Sequence, residues 1–156
     1  MKIQLLVPGK TRPDFISEGV DFYTKRARNY ARFELTETKE AKASGKQDYQ
    51  TLREKESGYL LNHIKPQDYI ILLDEKGEEY SSTQFAEMLE KRIQIAQGNL
   101  IFLAGGAYGF SDEIYSRANE KTALSRMTFP HQLVRLVFTE QLYRALAIMH
   151  NHPYHH

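Results

Sequence analysis

Four apolar residues, Ile101, Phe102, Leu103 and Ala104, run straight into a stretch that places Gly105, Gly106 and Gly109 within five positions. The apolar run reads as a short buried strand. The glycines behind it strip away side chains and leave bare amides and carbonyls for something that must come close. In open α/β sheets, a turn at the carboxyl end of a strand is where small ligands are held. Taken alone, the turn is equally a tight connection.

The pattern on either side of this run sets the fold class. Residues 2–7 read as a strand ended by Pro8 and Gly9, and Phe15, Ile16, Val20, Phe22, Tyr23 and Ala27 recur at helical spacing over about residues 13–31. Residues 33–38 alternate as a half-buried strand, and residues 39–46 form a charged, aperiodic surface loop. A helix over 47–64 places Tyr49, Leu52, Tyr59, Leu60 and Ile64 inward and stops at Pro66. Residues 69–73 are continuously apolar, as in a strand covered on both faces, and residues 74–77 then turn. Ser81 and Ser82 are placed to cap a helix that buries Phe85, Met88, Leu89, Ile93 and Ile95, with the strand at 100–104 behind it. A helix opens at Ser111, an extended segment covers 124–131, and a helix over 131–149 is apolar around most of its circumference. Burying such a helix in a small domain is easiest if one face meets a second copy of the chain. Strands alternating with helices give an α/β fold, a mostly parallel sheet flanked by helices, in one domain spanning 1–156.

Composition excludes several classes. At 41% hydrophobic and 26% charged the balance is that of an ordinary globular domain. No window approaches the ~20 apolar residues of a membrane span, and the apolar run at the amino terminus is too short for a signal peptide. The absence of cysteine removes disulfides and thiolate chemistry and fits a reducing cytoplasm. A formal charge of +1 is too small for a protein that grips nucleic acid by charge alone, so any RNA contact must be local or shared between subunits. Lys25, Arg26, Arg28 and Arg32 form the most basic stretch, either a solvated helix face or a phosphate-contacting edge.

Familiar motifs fail in informative ways. Lys10-Thr11 after Gly9 resembles the tail of a P-loop, but Gln4 stands where its first glycine belongs. Residues 104–109 supply two of the three glycines of a dinucleotide fingerprint, after a late strand instead of the first. Asp112 and Glu113 at the following helix start would repel an anion, which favours a neutral or zwitterionic ligand held by backbone groups. His150, His152, His155 and His156 crowd the tail without the helical spacing or companion ligands of a zinc site, so no metal is expected. Glu140 and Arg144 are spaced for an ion pair along the helix, whereas Arg135 has Thr139 at the corresponding position, which raises its chance of meeting a ligand or RNA.

Taken in order, Leu72-Leu73-Asp74, the strand into Gly105-Gly106, the block from Thr128 to Arg135 with Phe129-Pro130-His131, Glu140-Gln141-Leu142-Tyr143-Arg144-Ala145, and the tail Asn151-His152-Pro153-Tyr154-His155 resemble the ribosomal RNA large subunit methyltransferase H family of the SPOUT superfamily. The resemblance covers the whole chain. It implies a C-terminal trefoil knot, an obligate homodimer, and methyl transfer from S-adenosylmethionine to N3 of a pseudouridine in 23S rRNA on the assembled ribosome, with no role for DNA. It also implies a cofactor site made by Leu73, Gly105, Leu124, Ser125, Arg126, Met127, Thr128 and Phe129. Leu73, Met127 and Phe129 suit the flat faces of adenine, and Gly105 admits close backbone approach. Candidates beside the acceptor base are His131, Arg135, Tyr154 and His155, the last two reaching over from a partner subunit. Relatives usually follow the Tyr-His pair with Lys or Arg, whereas this chain carries His156, which replaces a permanent charge by a pH-dependent one. Two other readings of the residues are a nucleotide-binding regulatory domain and a non-catalytic dimeric interaction module.

Overall fold

A computed structural model describes residues 1–156. Five strands form one sheet: β1 (Ile3–Pro8), β2 (Phe33–Thr38), β3 (Tyr69–Glu79), β4 (Leu100–Ala104) and β5 (Glu120–Ala123). Their order across the sheet is β2-β1-β4-β3-β5, and every neighbouring pair is parallel. The helices are α1 (Asp14–Ala27), α2 (Tyr49–Leu61), α3 (Ser82–Ile95), α4 (Asp112–Arg117) and α5 (His131–Met149). No helix is long and apolar enough to cross a membrane.

Period-two alternation divides the central strands between two cores. Ile71, Leu100, Phe102 and Ala104 pack with Phe85, Phe138, Leu142 and Leu146 of α3 and α5. Ile70, Leu72, Ile101 and Leu103 pack on the other face with Leu60 of α2 and Ile114 of α4. The continuous apolar runs of β3 and β4 are thus the mark of strands covered on both sides. Local signals start the helices as their sequences require. Ser81 caps α3 in a full capping box with Gln84, Asp48 caps α2, and α5 begins directly after Pro130. No residue of α5 is fully exposed even in a single chain.

Four expectations are corrected. Residues 74–77 do not end β3: the strand leaves its ladder after Leu73, rejoins it at Glu78, and pairs Thr122 twice. That return is possible because residue 77 is glycine, since a Cβ there would lie 2.5 Å from the Thr122 amide nitrogen. The segment 124–131 is not extended throughout. A separate strand, β5, precedes it, and the chain from Leu124 to Pro130 is irregular. Tyr49 and Ile95 are exposed, each at the terminal residue of its helix. Arg135 is the largest fully buried side chain, at 1% exposure, and faces inward. Its guanidinium donates to Gly9 O and Thr11 Oγ1 at 2.9 Å each, and to Pro8 O.

Replacing Arg135 by Met would strip donors from three buried acceptors, so the folded state should lose about 3 kcal/mol or more, read as a lower urea midpoint. Gly77→Ala should cost about 1–3 kcal/mol by the same measurement, because backbone, and not a flexible side chain, stands in the way.

Candidate active site

The carboxyl ends of β4 and β5 and the middle of β3 meet at one cavity. β4 delivers Gly105 and Gly106, β3 delivers Leu73, Asp74 and Glu75, and the chain leaving β5 delivers Leu124, Ser125, Met127, Thr128 and Phe129. His131 and Val134 from the first turn of α5 complete the wall around a volume of 220 Å³. The cavity therefore lies at the carboxyl edge of the sheet, where parallel strands end in loops.

The three glycines of the turn are glycine for different reasons. At Gly105 an added Cβ would make only ordinary contact with Phe110, 3.5 Å away, so the chain itself has room for a side chain and the space is left on the cavity side. At Gly106 it would lie 2.5 Å from Glu56 Oε1 and 3.0 Å from Pro8. Gly109 adopts φ of +75°, in the left-handed region that side chains disfavour. The turn is closed by Gly109 N donating to Gly106 O. α4 spans only Asp112–Arg117, too short to serve as the phosphate-binding helix of a dinucleotide fold.

Polar contacts hold the remaining walls. Tyr115 Oη donates to Asp74 Oδ2 at 2.6 Å; burial and then that carboxylate push the phenol up to about 12. Thr128 Oγ1 donates to Glu75 Oε2 at 2.9 Å, fastening the β5–α5 loop to β3. Ser125 Oγ accepts from Met127 N and folds that loop. Met127 projects from it with 77% of its surface exposed, an apolar side chain at the cavity mouth with nothing over it. The His131 imidazole is held below its ordinary value, chiefly by burial and then by the positive charges of Arg135 and Arg12. It is therefore uncharged near neutral pH and able to accept a proton.

Of the residues expected around a cofactor, Leu73, Gly105, Leu124, Ser125, Met127, Thr128 and Phe129 all border the cavity. Arg126 does not: its side chain is 87% exposed and lies 3.6 Å from Glu79. Of the residues expected near the acceptor, His131 borders the cavity and Arg135, Tyr154 and His155 do not. Tyr154 and His155 sit instead against the far part of α5. Glu140 Oε1 accepts from Tyr154 Oη at 3.0 Å and from Arg144 Nη2 at 2.6 Å. Arg144 Nη1 in turn lies 3.2 Å from His155 Nδ1, which fixes that nitrogen as the acceptor. The expected Glu140–Arg144 pair is present, with the tail latched onto it. From His131 to Glu140 the helix rises about 13 Å. Asp74, Glu75 and Tyr115 were missed because their sequence neighbourhoods read as a turn and a surface helix; only their meeting across β3 and α4 makes them a wall.

Comparison with known proteins decides what this arrangement is related to. The model of the family described as "Predicted SPOUT methyltransferase" matches residues 1–155. The chain belongs to the SPOUT methyltransferase family. Proteins named "Ribosomal RNA large subunit methyltransferase H" from Cytophaga hutchinsonii and Parabacteroides distasonis are 47% and 44% identical to it over 156 residues. The matches span all of this chain and, respectively, 100% and 99% of those proteins. Among solved structures, a probable methyltransferase from Bordetella pertussis Tohama I shares the fold with a TM-score of 0.53 at 11% identity. That match covers 93% of this chain and 94% of the other. In this SPOUT methyltransferase the cavity is thus built by the carboxyl end of β4, by the stretch of β3 that leaves its ladder, and by the β5–α5 loop.

Because the folded chain holds His131 below 6.5, the unfolded chain binds the proton first as pH falls. This group's contribution to stability is therefore present above 6.5 and is lost as pH drops from there through the lower folded value. Urea unfolding at about pH 7.5 and about pH 5.5 should show that loss, and His131→Asn should reduce it.

Proposed function

We propose that the cavity binds S-adenosylmethionine and that the protein methylates large-subunit ribosomal RNA, at N3 of a pseudouridine in 23S rRNA on the assembled ribosome. The observation that carries this reading is the convergence of bare backbone, apolar wall and an uncharged imidazole at one place, in a chain whose full-length relatives are named for that modification.

The residues fit the cofactor. Leu73, Leu124 and Phe129 offer apolar surface to adenine, and the Gly105–Gly106 backbone offers amides and carbonyls to polar edges. Asp74 and Glu75 give the wall negative charge, which suits a sulfonium and an ammonium group. When bound, S-adenosylmethionine supplies an electrophilic methyl group. In the transfer, the bond from N3 to the methyl carbon forms as the carbon–sulfur bond breaks, and the N3 proton must go to a base. We assign that role to His131, which borders the cavity. Arg135 acts as a positioning residue through the β1 exit, since both of its terminal nitrogens donate there.

A volume of 220 Å³ is smaller than the roughly 300 Å³ at which pockets for such ligands usually begin. A partner subunit and the RNA would supply the missing cover. Homodimer formation is supported by Phe15 and Phe22, 67% and 48% exposed on α1, and by the half-exposed Leu133 and Val137 on α5. It would carry Tyr154 and His155 of one subunit toward the cavity of the other. The trefoil knot belongs to the same proposal and is supported by membership of the SPOUT methyltransferase family.

Incubation with radiolabelled S-adenosylmethionine and ribosomes from cells lacking this modification should incorporate methyl groups at one pseudouridine, with free 23S rRNA a poor substrate. Phe129→Ala should raise KM for the cofactor about tenfold, the loss of one buried aromatic contact. Intact cofactor binding without incorporation into either substrate would overturn the proposed RNA target.

A further inference from the structure

α2 lies behind the glycine turn, on the side away from the cavity, and three side chains at helical spacing face that turn. Arg53 Nε donates to Tyr108 O at 2.6 Å. Ser57 Oγ accepts from Ser111 N at 3.0 Å, and Ser57 is 1% exposed. Between them Glu56, 3% exposed, sets its Oε1 against Gly106, so close that even a methyl group there would collide with it. Residues at i, i+3 and i+4 share one helix face, so one rigid surface touches the turn at its start, its middle and its end.

The Glu56 carboxyl is unusual for a group whose only task is to fill space. Its Oε2 accepts one long bond, 3.3 Å, from Ala41 N, and its Oε1 has no partner in the chain. No cation lies within ion-pair distance of it. Burial pushes the acid up, Glu40 adds to the effect, and Arg135 opposes it. A buried carboxyl without a paired charge carries a desolvation cost that a leucine would not.

We propose that Arg53, Glu56 and Ser57 are positioning residues for the methyl-donor cofactor, holding residues 105–111 in the shape that forms the cavity floor. The inference rests on the reading of that cavity as the cofactor site. None of the three borders the cavity, so each acts on the cofactor only through the turn.

The test is calorimetric binding of S-adenosylmethionine to the full-length protein, with KM values for cofactor and ribosomes measured separately. Glu56→Ala should weaken cofactor binding about tenfold or more, whereas Glu56→Gln, which keeps the shape of the side chain against Gly106, should stay within about twofold. Arg53→Ala, at a partly exposed position and with folding checked by the urea midpoint, should weaken binding about threefold or more and raise KM for the cofactor but not for ribosomes. Unchanged binding in Arg53→Ala would overturn the proposal, as would equal losses in the Gln and Ala variants of Glu56. Failure of the unsubstituted protein to bind S-adenosylmethionine would instead overturn the assignment of the cavity, and this inference with it.

Discussion

A single buried guanidinium ties the two ends of this chain together. Arg135, one turn into α5, spends its donors on Pro8 O, Gly9 O and Thr11 Oγ1, where β1 leaves the sheet. No carboxylate lies within ion-pair distance, so the charge is met by carbonyl dipoles and by the more distant field of Glu37 and Glu40. Arginine suits this task because it stays charged when buried and presents several donors in a fixed plane. The consequence is geometric. The same turn of α5 carries His131 and Val134 into the cavity wall, so the height of that wall over the sheet is set by contacts some 125 residues away in sequence.

Much of this was legible in the sequence because the signals were local. Continuous apolar runs marked β3 and β4 as doubly covered strands, and Ser81 and Ser111 marked helix starts that the structure realises as caps. Residues 124–129 came from the family resemblance, and all but Arg126 reach the cavity. What failed was non-local. Four residues of mixed charge at 74–77 look like a turn until β5 pairs with the strand on both sides of them. Arg135 looked free because its partners belong to the first strand, not to its own helix. Glu56 gave no signal at all, since a glutamate in a polar helix is ordinarily solvated and only the glycine turn packed against it makes it buried.

The two halves of α5 make contacts of different kinds. Its first turn borders the cavity, and its second half anchors the tail through Glu140 and Arg144, with the Tyr154 ring tilted against Tyr143 at a centroid distance of 4.5 Å. A helix is stiff, so the two sites keep a fixed separation within one chain. An arrangement in which the tail of one chain serves the cavity of another turns that stiffness into a spacing rule between subunits.

The mouth of the cavity also fixes how the protein meets oxidants. The chain has no cysteine and four methionines. Met88 is buried in the core at 4% exposure, whereas Met127 stands 77% exposed on the cavity wall. Conversion of its thioether to a sulfoxide would exchange an apolar surface for a polar, chiral one beside the Ser125 turn, without touching any strand or core contact. Oxidation of Met127 would therefore change the mouth of the cavity and leave the folded state standing, a form of injury that a methionine sulfoxide reductase can reverse.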